Sequence, residues 1–155
     1  KQVKSMKVNF LNEIAQDNLK NISEGGWEKI ELTVDSGASE TVIPEELVGS
    51  VEVTEGIKSK RGVEYEVANG VKIPNLGEKR FVAESAEGVR RNITAQVCDV
   101  NKALLSVKKV VAAGNRVVFE EEGGYIEDRL TGDCMWLEEA GGMYMLSMWV
   151  ESKPF

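Results

Sequence analysis

A chain of 155 residues with 42% hydrophobic and 29% charged residues has the size of one domain able to bury an ordinary core, and no apolar run reaches the roughly 18 residues of a membrane-crossing helix. Its net charge of −7 argues against nucleic acid as a main partner, because phosphate binding needs clustered Lys and Arg. The complete lack of histidine removes the usual general base, the Ser-His and Cys-His nucleophile pairs and most zinc sites.

Residues 1–24 read as an N-terminal extension. Leu11, Ile14, Ala15, Leu19 and Ile22 follow a helical stripe, while Met6 to Leu11 fits a strand as well. Gly25-Gly26 breaks that segment. From Trp27 onward, short apolar runs separated by Gly, Asn and acidic clusters have the punctuation of a β protein. Glu28 to Val34 alternates, with Ile30, Leu32 and Val34 on one face, and delivers Asp35 at its end. Val51 to Thr54 predicts a short strand, and Tyr65 to Ile73 a hairpin whose Asn69-Gly70 suits the positive φ of a tight turn. Arg80 to Glu84 and Asn92 to Cys98 predict a strand pair across Ala86-Glu87-Gly88. Ala103 to Ala113 predicts a single helix: Leu104, Val107, Val110 and Val111 make its stripe, Ser106 caps its start and Gly114-Asn115 stops it. Val117 to Glu120 and Tyr125 to Glu127 predict strands around Glu122-Gly123-Gly124. Cys134 to Leu137 and Met143 to Val150 do the same around Gly141-Gly142, and both Gly pairs are expected to be turns. The fold class expected is mainly β with one short helix in the second half.

The segment with chemical content is Leu32-Thr33-Val34-Asp35-Ser36-Gly37-Ala38. A carboxylate emerging from a buried strand is costly unless something pairs with it or uses it. Asp-Ser-Gly alone is a common turn, an Asx-turn followed by a positive-φ Gly. Here it follows an alternating apolar strand and leads into Ala38 and then Val42-Ile43-Pro44, which suits an aspartic peptidase loop. Such a peptidase needs two carboxylates sharing one site, one protonated and one ionised, around a trapped water. The pair titrates as a unit. None of Asp17, Asp99, Asp128 or Asp133 precedes Ser-Gly or Thr-Gly, and Leu130-Thr131-Gly132 has Leu where the acid would be. A dyad therefore requires Asp35 from each of two chains across a two-fold axis.

The motif, with Glu40-Thr41-Val42-Ile43-Pro44 after it, resembles the retropepsin-like aspartic peptidases of retroviruses and retrotransposons, and most of all the copia type. Val67-Ala68-Asn69-Gly70-Val71-Lys72-Ile73-Pro74 is similar to the flap hairpin of that family, and Ala103-Leu104-Leu105-Ser106-Val107 to the step before its helix. Ala113 to Phe119, Asp128 to Gly132 and Met143 to Leu146 look like the segment that follows the peptidase in such polyproteins. The resemblance implies an acid-protease barrel over residues 25–120 and a C-terminal β-hairpin extension over 121–155. It implies that Asp35 is catalytic, that Ser36 braces the two loops across the axis, and that Gly37 and Ala38 line the substrate backbone. Val67, Ala68, Asn69, Gly70 and Val71 would then close over an extended polypeptide. The expected activity is that of an aspartic endopeptidase working as a homodimer without cofactor or metal. The alternative is a non-catalytic retropepsin-like scaffold or subunit of a larger assembly. Two departures stand out: the flap tip carries a single Gly, and the chain ends match no dimer-forming end of the viral enzymes.

Elsewhere the readings are plainer. Cys98 and Cys134 match no metal spacing and read as buried reduced thiols, with a disulfide as the other option, which suggests the cytoplasm or another reducing intracellular compartment. No signal peptide is visible, so Asn21-Ile22-Ser23 and Asn92-Ile93-Thr94 read as accidental glycosylation triplets. Lys58, Lys60 and Arg61, like Arg90 and Arg91, read as solvated charge, and Glu120-Glu121-Glu122 as a solvated hairpin end. Met143, Met145 and Met148 with Tyr144 and Trp149 make a sticky C-terminal strand, either core or a partner-binding edge.

Overall fold

Alternation places Ile30 and Leu32 on the inner face of strand β1 (Trp27–Asp35), where both are buried. The rest of the fold assembles around them. The computed structural model describes residues 26–67 and 69–152, so the extension expected over 1–24 and the flap residue Ala68 lie outside the described residues. Following β1 come β2 (Val42–Ile43), the single-turn helix α1 (Ile57–Lys60), β3 (Glu64–Glu66), β4 (Lys72–Pro74), β5 (Gly77–Ser85), β6 (Arg90–Val97) and β7 (Ala103–Ser106). Helix α2 (Val107–Ala112) leads to β8 (Asn115–Glu120), β9 (Gly123–Asp128), β10 (Cys134–Ala140) and β11 (Met143–Glu151). The protein is mainly β, as its punctuation predicts.

Strand pairings run β1-β7-β2-β6-β5-β11, and β11 pairs in turn with β1, so six strands close into a ring. Closure removes the free edges an open sheet would leave. Beyond the first half of β11 the sheet continues as a meander, β10-β9-β8. Inside the ring, Ile30, Leu32, Ala83, Val97, Leu105 and Leu146 are almost fully excluded from solvent. The expected boundary at residue 120 falls at the turn between β8 and β9. Strand β11, from the segment expected as an extension, pairs with β1 from Trp27↔Glu151 to Thr33↔Met145 and with β5 from Met148↔Ser85 to Val150↔Ala83. Both edges of β11 are therefore occupied, which leaves it a core strand and not an open partner-binding edge.

Four local expectations change. Ala103 to Ser106 is a strand, because Leu104 finds partners on both sides, Thr33 of β1 and Val42 of β2. Two ladders outweigh a helical spacing that a short apolar run cannot define. The helix starts only at Val107, where the Ser106 hydroxyl accepts from Lys109 N at 3.2 Å. A second helix, α1, is closed by Ser59 Oγ, which accepts from Gly56 N and donates to Gly56 O. Val51 to Thr54 is not a strand. Only Thr54 joins a ladder, exchanging backbone hydrogen bonds with Glu78. Gly123-Gly124 opens β9 instead of forming the turn, which falls on Glu121 and Glu122. Gly124 is needed for close approach, since a Cβ there would stand 2.1 Å from the Val118 carbonyl oxygen. Gly141 and Gly142 do form a turn, with φ of 59° and 81°.

The loop between β2 and α1 is organised by two charges. The Lys79 ammonium, only 3% exposed, donates to the carbonyls of Glu45 (2.8 Å), Leu47 (2.9 Å) and Val48 (3.0 Å). From the other side, the Glu28 carboxylate accepts from Val48 N and Gly49 N. This clamp holds buried Val48 at φ 56°, an uncommon conformation for a β-branched residue. Desolvation holds the Lys79 pKa below the usual lysine value, against the pull of Glu28 and the neighbouring carboxylates. Lys79→Met keeps the aliphatic stem but strips three carbonyls of their donor. Urea denaturation is expected to show a loss of about 3 kcal/mol, and a loss below about 0.5 kcal/mol would show that the clamp adds nothing to stability.

Candidate functional site

Strand β7 lies between β1 and β2, so the loop over residues 36–41 that joins those two strands must cross the C-terminal end of β7. Asp35 closes the parallel β1–β7 ladder opposite Ser106. Ser106 is fully buried and tied to the crossing loop twice: its Oγ donates to Ala38 O at 2.7 Å, and its N donates to Thr41 Oγ1 at 3.1 Å. The same hydroxyl caps α2. Loop, strand end and helix start are therefore one hydrogen-bonded unit.

Within that unit, Asp35 Oδ1 accepts from Gly37 N at 2.7 Å. No other hydrogen bond or ion pair reaches this carboxylate among the described residues. Gly37 lies outside the positive-φ region, so the turn itself does not demand glycine there. A Cβ at that position would stand 3.3 Å from Asp35 Oδ1, crowding the carboxylate.

Asp35 opens on a cleft of about 700 Å³. Gly37 and Ala38 form its floor with Asp35, and the hairpin β3–β4 contributes Tyr65, Val67 and Ile73 to the same cavity. The hairpin is closed by Val67 N donating to Val71 O (2.9 Å), with Asn69 Oδ1 accepting from Val71 N and Gly70 at φ 82°. Its base is fastened by a polar chain: buried Asn75 donates through Nδ2 to Tyr65 Oη (3.1 Å) and to Gln96 Oε1 (2.8 Å), and accepts from Gly77 N. Of the residues singled out in the sequence, Asp35, Gly37, Ala38 and Val67 meet in this cleft. Ser36 is exposed on the loop outside it, and Asn69, Gly70 and Val71 sit at the hairpin tip away from it.

Sequence reasoning missed part of the cleft's lining. Gly142, Met143 and Tyr144, from the turn into β11, line the cleft with Lys102 and Leu104. The β1–β11 register is what carries this turn there, and no local pattern announces it. Glu40, also in the cleft, is neutralised by ion pairs with Lys58 and with Lys109 (3.4 Å). Lys58, read as solvated, is thus engaged; Arg90 and Arg91 likewise pair with Glu84 and Asp128. Neither a protein-family model, nor a curated protein, nor a solved structure matches this chain.

Cys98 borders the cleft from beneath and is 1% exposed; Cys134 is half-buried on β10, and both are free thiols. Burial pushes the Cys98 thiol up to about 11 from an ordinary 9.0. At pH 8 a thiol reagent should therefore modify Cys134 in the native protein and Cys98 only on unfolding; equal rates would refute the burial argument. The linkage sign follows from a raised acid. Between pH 9 and 11 the unfolded chain releases the Cys98 proton and the folded chain keeps it, so this contribution is whole below pH 9 and lost as pH rises through 11. Stability measured over that window should fall more steeply in the wild type than in Cys98→Ala.

Proposed function

We propose that the chain is an aspartic endopeptidase of the retropepsin-like class, with the six-stranded ring as its acid-protease barrel and the active enzyme as a homodimer. The observation that carries this reading is the meeting of Asp35, Gly37 and Ala38 with the hairpin residue Val67 around one cleft. Two segments whose resemblance is to the catalytic loop and the flap, separated in sequence, line the same cavity. The Asp35 carboxylate is left with spare acceptor capacity toward the cleft, as a group meant to share a proton with a twin requires.

In this mechanism, Asp35 of each protomer faces the other across the two-fold axis. The ionised member takes a proton from the water held between them, and the oxygen of that water attacks the scissile carbonyl carbon. The protonated member donates to the carbonyl oxygen, and collapse of the tetrahedral intermediate passes a proton to the leaving amine. Ser36 braces the loops at the axis. The two-stranded hairpin β3–β4 has outer edges that pair with no other strand among the described residues, and these supply backbone partners to an extended substrate. Paired Glu40 and the Ser106 tethers hold the loop in place, so little reorganisation is needed during the reaction. Free thiols accord with a reducing intracellular compartment.

A scaffold without activity is the second reading, favoured because the one hydrogen bond to the Asp35 carboxylate among the described residues comes from its own loop. Asp35→Asn separates the two. Cleavage of an unfolded protein substrate, followed by mass spectrometry, should fall at least about a thousandfold while thermal melting stays unchanged. Sedimentation of the wild type should give a dimer; a strict monomer with no cleavage leaves the scaffold reading.

A further inference from the structure

Strand β8 ends the sheet, and no strand covers its outer edge among the described residues. The ladder shows which backbone groups that edge presents. Asp128 N donates to Asp133 O, on the side of β10, so Asn115, opposite Asp128 in the β8–β9 ladder, sits at a non-hydrogen-bonded position. Arg129 N, the next amide, donates to Gly114 O. Positions alternate from there: Arg116, Val118 and Glu120 spend their backbone groups on β9, while Asn115, Val117 and Phe119 turn theirs outward. Val117 and Phe119 share one face, with the Phe119 ring 4.8 Å from that of Tyr144. Arg116, Val118 and Glu120 share the other; Arg116 Nε pairs with Glu127 in its own chain, and the side chain is still 59% exposed. An uncovered edge of this kind is a template for a further strand.

We infer that the outer edge of β8 is a self-association surface, occupied by β8 of a second copy lying antiparallel across a two-fold axis at Val118. Centred there, the new ladder sets Val117 opposite Phe119 in its hydrogen-bonded pairs, which are the residues whose backbone groups face outward. Val118 then meets Val118, and Arg116 meets Glu120 at both ends. These fall at the non-hydrogen-bonded positions, where side chains approach most closely. Other centres lose the match: at Val117, Arg116 faces Val118; at Phe119, Glu120 faces Val118; at Arg116, two guanidinium groups collide. With five N–H donors, Arg116 can serve Glu127 and the second copy's carboxylate together. The occupant is this chain itself because one edge carries both halves of the charge complementarity. Six residues make a small interface, so the association is weak and reversible. It is distinct from the axis proposed at Asp35, since no residue of β8 lines the cleft.

The test places a thiol at the axis. In a Cys134→Ser background, Val118→Cys treated with diamide should give a disulfide-linked dimer on a non-reducing gel, because the two thiols are directly opposite. Glu121→Cys, whose copies would stand about 20 Å apart in this register, should not. Adding Arg116→Glu or Glu120→Arg to Val118→Cys sets like charges opposite each other and should cut the cross-linking rate at least about tenfold. Mixing those two variants rebuilds both ion pairs between unlike chains and should restore the rate, which also shows that each variant is folded. Equal cross-linking at 118 and 121, no cross-linking at 118, or no recovery on mixing overturns the proposal. So does slow hydrogen exchange at the Val117 and Phe119 amides that is independent of protein concentration, since that would mean the edge is covered within one chain.

Discussion

Consecutive strands β1 and β2 do not touch; β7 lies between them. The chain leaving β1 must therefore pass over the end of β7, and everything of chemical interest in this protein follows from how that crossing is held. The crossing loop has no regular structure of its own; Asp35 accepts from Gly37 N and Ala38 N, Gln96 N donates to Thr41 O, and Ser106 ties the loop down through its hydroxyl to Ala38 O and its amide to the Thr41 hydroxyl. Because Ser106 also caps α2, the position of Asp35 is referred to a helix and two strands at once. An acid placed at the end of a strand by a parallel ladder, with its loop tied to Ser106, is positioned by rigid elements, as the proposed catalysis would require.

A second constraint works from the far side. The ring closes through β11, and the turn between β10 and β11 thereby reaches the cleft that Asp35 also lines. The meander β8–β10 then stabilises that turn through Phe119 and the Tyr144 hydroxyl. Strands that look peripheral in the sheet order thus shape the cleft. The hairpin β3–β4 is held differently, by a buried amide chain from Tyr65 through Asn75 to Gln96, which fixes its base. Every buried polar side-chain atom among the described residues has a partner, so none of these devices leaves an unsatisfied group behind.

Much of this was legible in the sequence, and the parts that were not share a cause. Alternation and turn residues located β1, the β3–β4 hairpin, β5–β6 and β8 to β11 because those elements obey local rules. The apolar spacing at Ala103 to Ser106 suggested helix because its true partners, Thr33 and Val42, lie far away in sequence. Gly124 looked like a turn residue because the carbonyl that needs its missing side chain belongs to the neighbouring strand. The motif at Asp35 located the floor of the cleft, yet Met143 and Tyr144 stayed hidden, since only the closing ladder brings them near. Nothing in the composition announced that Lys79 would be buried under three carbonyls, for a lysine reads as surface until its environment is known.

Ring closure by the last strand also has a meaning for how the molecule is made. During vectorial synthesis β1 leaves the ribosome before either of its partners, with one edge awaiting β7 and the other awaiting β11. Until translation delivers that final partner, Ile30 and Leu32 lack their full enclosure, and pairing between such distant segments is slow. A nascent chain therefore carries an unfinished ring, and the cleft that Asp35 lines gains Met143 and Tyr144 only once β11 has been made.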